Sequence, residues 1–370
     1  MRSRFVAGAL AVTVTALLAG ATPALAQPQA PATATGTAVQ QAMDRVLANG
    51  AVGVQVRTTR DDLTTTAASG ESVLGTSWPV PTSGLFRVGS VTKTFVATVL
   101  LQLVEEDRVD LDAPIARYLP GLLPDGDAIT VRMLLQHTSG LYDYVKALPL
   151  HGAAFFDIRF RPYTPHELVS IATDKPLDFA PGTDWSYSNT NYIVAGMLIE
   201  KVTGRSWDTE VAERITRPLG MRETSAPGGS VFIPGLHARG YEPVDGRLVD
   251  VTELNPSWGG AAGELISSTA DLDLFLTALV DGRLLRPAQL AELTSARSIT
   301  DDHGYGLGAL SRNTPCGETV WGHSGGIPGY TTLAFTTLDG SRRMEASVTN
   351  GLGPDSDDAV YGIVDAAICG

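Results

Sequence analysis

The chain has 370 residues, 44% of them hydrophobic, and a formal net charge of −13. That apolar content supports a sizeable core spread over two sub-structures, and so acidic a protein sets nucleic acid aside as a partner. The only cysteines are Cys316 and Cys369, and with no cluster of histidines around them they do not suggest a metal site.

The first residues carry Arg2 and Arg4, an apolar run over 5–20, and Ala24-Leu25-Ala26 before Gln27. This reads as a secretory signal peptide over residues 1–26. Threonines and glycine break the run, which separates it from a membrane anchor. Its loss would take the formal charge from −13 to −15. A secreted, extracellular protein is therefore expected, with no second apolar run to span a membrane. In that oxidising setting a single disulfide between the two cysteines is the natural inference, with two free buried thiols as the alternative.

Residues 27–36 are small and Pro-containing, as in a flexible leader. A helix is predicted over 37–47. Val52, Val54 and Val56 then alternate as in a half-buried strand, and turn signals near Asp61 and Gly70 suggest antiparallel strands. Next comes Phe86-Arg87-Val88-Gly89-Ser90-Val91-Thr92-Lys93-Thr94-Phe95, which runs into a helix-periodic segment with Val96, Val99, Leu100, Leu103 and Val104. Ser90 and Lys93, three residues apart, fall on one face of its first turn. A serine hydroxyl needs a base to act as a nucleophile, and a lysine kept neutral by burial beside a helix start can serve as one. The spacing also arises by chance on any helix surface, although this chain has only four lysines. Partners must decide.

A further helix is predicted over 129–135, ending near 137–140. Residues 141–162 read as a long irregular loop whose aromatics, Tyr142, Tyr144, Phe155 and Phe156, either border a site or pack a core. Tyr187 and Asn189 follow, two residues apart before a helix over 191–202 that Gly204 closes. In an extended segment they point the same way, a phenol for proton transfer beside an amide for a carbonyl; the rival reading is an aromatic loop with an N-capping asparagine. Short strands and loops fill 228–256. A helix capped at Ser268 carries Leu272, Phe275, Leu276 and Leu279 on one face. Strand patterns return around Val320, over 330–336 and over 344–349, before a final helix. Strands at both ends around a helical insertion make a two-part α+β protein, with the sheet part near 37–90 and 257–370 and the helical part near 91–256.

Gly322-His323-Ser324-Gly325-Gly326 fits the Gly-x-Ser-x-Gly nucleophile elbow, but Pro328 and a strand pattern follow it and no histidine comes later. Ser324 is thus no triad nucleophile. Glycines on an edge strand instead allow a peptide backbone to approach. His166-Glu167 lacks the second histidine of a zinc protease motif, no phosphate loop is present, and neither cofactor nor metal is indicated.

Ser90-x-x-Lys93, Tyr187-x-Asn189 and His323-x-Gly325, in that order, resemble the three motifs of the penicillin-recognising serine hydrolases. Across essentially the whole mature chain the sequence is similar to the secreted, soluble D-alanyl-D-alanine carboxypeptidase/transpeptidases, which share a fold with class C β-lactamases. The resemblance implies an α+β fold, an antiparallel sheet flanked by helices beside an all-helical region, with the site in the cleft between them. It implies that Ser90 attacks the carbonyl, Lys93 and Tyr187 move protons, and Asn189 holds the substrate amide. His323, expected among the catalytic residues with Ser90, Lys93 and Tyr187, would take the place of the lysine commonest in the wider superfamily. The N–H groups of Ser90 and Gly326 would form the oxyanion hole, and Ser324 would face the leaving group's carboxylate on the strand that Gly325 opens. Trp258 would wall a subsite, and Cys316 with Cys369 fits that family's single disulfide. D-Ala-D-Ala peptides and β-lactams are the implied partners of an expected monomer. One departure stands out: the arginine that grips the terminal carboxylate falls at Leu310, and Arg312, two residues on and on the same strand face, would have to reach that carboxylate from a shifted base. This keeps an esterase, a D-amino-acid amidase or aminopeptidase, and a β-lactamase open as alternatives, all through the same acyl-enzyme. A non-catalytic binder would show a damaged motif, and here the motifs are intact.

Overall fold

The computed structural model describes residues 34–351 and 356–370; the expected signal peptide and most of the leader lie outside them. Twelve strands are described: β1 (Gly53–Arg60), β2 (Leu63–Gly70), β3 (Phe86–Arg87), β4 (Tyr241–Val244), β5 (Arg247–Asp250), β6 (Ile266–Ser267), β7 (Arg297–Ser298), β8 (His303–Tyr305), β9 (Leu310–Asn313), β10 (Thr319–Ile327), β11 (Tyr330–Thr337) and β12 (Arg342–Thr349). Eight form one sheet in the order β2-β1-β12-β11-β10-β9-β8-β7, and every neighbouring pair is antiparallel. β3 pairs with β6, and β4 with β5.

Helix α1 (Ala34–Ala48) begins inside the expected leader. It packs against the C-terminal helix, which runs from Ser356 to Cys369, on one face of the sheet. There Met43 and Val46 meet Val54, Leu333, Phe335, Met344 and Ile363. Period-two alternation turns Tyr330 and Ala334 of β11 to the opposite face, into the larger core. β1 departs from the half-buried strand read from its valines: it lies between β2 and β12 and buries Gln55 and Thr59 as well. Gln55 Nε2 recovers a partner by donating to the Gly84 carbonyl at 3.2 Å, which is why a polar residue is tolerated on that face.

The second core is organised around α2 (Thr92–Glu105), buried from Thr92 through Leu101. A helix apolar on all sides is a central one. The helical region around it contains α3 (Val131–Leu135), α4 (Phe155–Ile158), α5 (Pro165–Thr173), α6 (Thr190–Thr203), α7 (Trp207–Val211) and α8 (Arg217–Leu219). Gly204 closes α6 at φ 75°, as its position after the last apolar residue predicts. On the sheet side follow α9 (Thr269–Val280) and α10 (Pro287–Leu293), and the Ser356–Cys369 helix is α11. Ser268 caps α9 by accepting the Asp271 N–H, a contact of about 1 kcal/mol. Phe275 of α9 stacks on Phe95 of α2 with centroids 3.8 Å apart, which locks the helix that follows Ser90 to one that lies on the sheet.

The two cysteines are joined: Cys316, in the β9–β10 turn, and Cys369, at the end of α11, form a disulfide with Cα atoms 5.7 Å apart. Among the described residues no helix is long and apolar enough to cross a membrane.

Candidate active site

Ser90 sits in a 3-10 turn (Gly89–Val91) immediately ahead of α2 rather than in the helix's first turn. Gly89 adopts φ 52°, and Thr92 Oγ1 ties the turn by donating to the Gly89 carbonyl at 2.7 Å. Both features follow from close packing against β10. A Cβ on Gly89 would come within 2.8 Å of the Gly326 oxygen, and one on Gly325 within 2.0 Å of the Val88 oxygen. Gly89 and Gly325 therefore let the serine turn and the strand's backbone lie against each other. β9 pairs with β10 only over residues 319–322, so beyond that point the β10 edge faces Ser90 instead of another strand.

Lys93 is fully buried. Its Nζ lies 3.0 Å from Ser90 Oγ, 2.7 Å from Asn189 Oδ1 and 2.7 Å from the Ala262 carbonyl oxygen. Burial depresses its pKa from 10.5 to about 7, against the pull of the Asp143 carboxylate. The partners define the geometry of the neutral amine. Two are pure acceptors and take its two N–H bonds, which leaves the lone pair for Ser90 O–H. Asn189 is the N-cap position of α6, yet its side chain caps nothing. Instead its Nδ2 donates to Asp143 at 3.1 Å while its oxygen receives Lys93. Asp143 also accepts the N–H groups of Asn189 and Val145 at 3.1 and 3.2 Å, and burial raises its pKa.

Tyr187 neighbours Ser90, and burial raises its phenol's pKa against the opposing influence of that side chain. Its ring lies 4.9 Å from Lys93 Nζ. Below it is an aromatic and imidazole bed. His137 packs 4.3 Å from Tyr187 and 4.7 Å from Tyr305, centroid to centroid. Burial and nearby Lys93 hold His137 well below 6.5; its Nδ1 accepts the Ser188 N–H at 3.1 Å, so the proton is on Nε2. His323 is buried too, and burial with Lys93 lowers its pKa to about 3. Its Nδ1 donates to the Ser324 carbonyl, which leaves Nε2 to accept the Tyr305 hydroxyl at 3.0 Å. His323 is thus a neutral wall of the site, hydrogen-bonded on both nitrogens.

Ser90, Asn189, Trp258 and Gly326 line a single cavity of about 260 Å³, with Tyr144, Leu150, Ile327 and Pro328. Two other expected contacts point elsewhere. Ser324 lies opposite Leu333 in β11, on the α11 face, where its Oγ accepts the Tyr361 hydroxyl at 3.0 Å. Arg312 shares that face with Leu310, but α11 covers it: both guanidinium arms bond Asp365, Nη2 at 3.0 Å, and the group lies 5.3 Å over the Tyr361 ring. It is a side chain already paired, not a waiting clamp.

Asp143, His137, Tyr305 and the Ala262 carbonyl were not singled out by motif reading. Asp143 and His137 both lie in or beside the aromatic loop after α3, so that loop's composition was a usable signal; a backbone carbonyl leaves none.

A family model described as Beta-lactamase matches residues 37–368. Among solved structures, a D-stereospecific amidohydrolase from Streptomyces sp. superposes with a TM-score of 0.84 at 40% identity, covering 90% of this chain and 98% of that one. The D-amino acid amidase from Ochrobactrum anthropi SV3 gives a TM-score of 0.80 at 31% identity, with coverage of 90% and 98%. A penicillin-binding protein of Bacillus subtilis (strain 168) is 28% identical over 279 residues, 70% of this chain but 60% of its own length. The antiparallel sheet with its flanking helices is the β-lactamase/transpeptidase-like fold, and this chain belongs to the Beta-lactamase family of serine acyl-enzyme hydrolases.

Proposed function

We propose that the protein hydrolyses small D-amino acid amides and short D-peptides through an acyl-enzyme on Ser90. Neutral Lys93 takes the Ser90 proton as Oγ attacks the amide carbon. The N–H groups of Ser90 and Gly326 hold the oxyanion. Tyr187, kept as a phenol by burial, gives its proton to the departing amine, and the phenolate so formed takes back the proton that Lys93, beside its ring, received from Ser90. Water then enters by the reverse of this relay and releases the acid. β-Lactams, as strained amides, are expected to acylate Ser90 by the same attack.

The observation that carries the amide preference is the Arg312–Asp365 pair. A carboxypeptidase reading requires a cation for the substrate's terminal carboxylate; Leu310 supplies none, and Arg312 is neutralised where it stands. No lysine or arginine lines the cavity among the described residues. The likeness to a D-stereospecific amidohydrolase and a D-amino acid amidase supports the same reading. The test pairs D-phenylalaninamide with a tripeptide ending in D-Ala-D-Ala, on the protein and its Ser90→Ala variant. Ser90-dependent ammonia release that outruns D-alanine release is expected; the opposite order would return the protein to the carboxypeptidases.

A further inference from the structure

The cavity that begins at Ser90 ends at a carboxylate. Glu242 of β4 lines it together with His151 and Asn350, and its side chain is only 8% exposed. One oxygen is fixed: Oε1 accepts the Gly329 N–H at 3.0 Å, which pins Glu242 against the β10–β11 turn whose Ile327 and Pro328 also line the cavity. The other oxygen, Oε2, has a single partner, His151 Nδ1 at 3.4 Å. That imidazole is 81% exposed, and its hydrogen bond to Glu242 raises its pKa, so the carboxylate already favours a cation beside it. A buried carboxylate that lines a substrate cavity, with only an exposed imidazole on its second oxygen, is a poor host for neutral or anionic groups and a good one for an ammonium. Glu242 lines the cavity with Ser90, Asn189 and Trp258, whereas Ser324 and Arg312 do not reach it.

We infer that Glu242 forms an ammonium-binding subsite for the acyl donor. The favoured substrate presents a protonated amine on the acyl side of the scissile bond, and His151 guards the mouth of that subsite. The amine is either the donor's own α-amino group or the end of a basic side chain; both offer the same chemistry to Glu242. The inference rests on the amide-hydrolase reading for the identity of the substrate, but its geometry stands without turnover, and so does its test.

Binding is measured by calorimetry on the Ser90→Ala protein with three ligands: D-phenylalaninamide, N-acetyl-D-phenylalaninamide and N-acetyl-D-lysinamide. The first carries an α-ammonium, the second no charge, the third a side-chain ammonium. One of the charged ligands should bind about tenfold or more tighter than the neutral one, as a charge-assisted hydrogen bond warrants; which one identifies the source of the amine. Glu242→Gln keeps an acceptor for Gly329 N–H and should shrink that preference to about twofold or less. His151→Lys, at an exposed position that does not threaten folding, places a permanent competitor beside Oε2 and should shrink it as well. Equal binding of all three ligands, no binding of either charged one, or a preference that survives both substitutions would overturn the subsite. Failure of the amide-hydrolase reading is seen elsewhere, in the turnover assay of the Ser90 protein.

Discussion

The two sides of Ser90 differ in how they treat charge. Where the leaving group's carboxylate was expected to be held, every group is spoken for: Arg312 holds Asp365, and Tyr361 donates to Ser324. On the side proposed for the acyl donor, the cavity reaches Glu242, whose second oxygen has only an exposed imidazole beside it. The contrast teaches that selectivity should be read from unsatisfied groups rather than from the mere presence of a charged residue. On the proposed reading, a closed side would tolerate leaving groups without a carboxylate, while the open side would select on the acyl donor.

The machinery common to both sides gives the largest expected effect. Lys93→Met should lower kcat/KM by about 10³- to 10⁴-fold on every substrate, cationic or neutral, since general base catalysis is worth that much. A selective loss would place Lys93 on the acyl side alone. Removing the disulfide with Cys316→Ser comes next. The bridge closes a sequence separation of 53 residues, for which chain entropy gives about 4 kcal/mol. The variant's denaturant midpoint should fall accordingly, and its leaving-group selectivity should loosen more than its acyl selectivity, because the bridge anchors α11. A uniform loosening would break the comparison.

Acidity tests the base itself. With Lys93 near a pKa of 7, kcat/KM should fall about tenfold per unit below that pH as the amine takes up a proton. The linkage has a definite sign: between about pH 7 and 10.5 the unfolded chain holds a proton on Lys93 that the folded chain lacks, so the stability contribution rises with pH through that window. Lys93→Met should flatten that slope in pH-dependent unfolding. Releasing the paired arginine sharpens the comparison further. Asp365→Ala should raise D-alanine release from a free-acid peptide, relative to amide hydrolysis, by about tenfold; no change would mean that Arg312 cannot reach the substrate. The smallest effect is expected from Tyr361→Phe, which removes one hydroxyl donor from Ser324 and should shift leaving-group preference by about five- to tenfold at most, near 1 kcal/mol.

Much of this was legible before any coordinates. Ser-x-x-Lys and Tyr-x-Asn encode local geometry, and spacing alone carries it. The capped helix after Ser268 and the glycine stop of α6 were legible for the same reason. What could not be read was long-range pairing. The i, i+2 rule correctly puts Leu310 and Arg312 on one strand face, but not that α11 covers this face, nor that Asp365 awaits there. Asp143 and the Ala262 carbonyl meet Lys93 only because the loop after α3 and the turn before β6 converge on it. Val52, Val54 and Val56 gave the right strand and the wrong exposure, because burial of the second face depends on which strands become neighbours.

The glycine contact between the serine turn and β10 has a dynamic consequence. A Cβ on Gly89 would strike the Gly326 backbone and one on Gly325 the Val88 oxygen, so Ser90 keeps its place only while that seam is shut. The seam is a weld between the sheet edge and the helix that carries Lys93, and a rocking motion of one against the other would dismantle the nucleophile's surroundings. Substrate admission therefore falls to side chains and loop, and acylation of Ser90 should proceed in one exponential phase with no viscosity-dependent closing step.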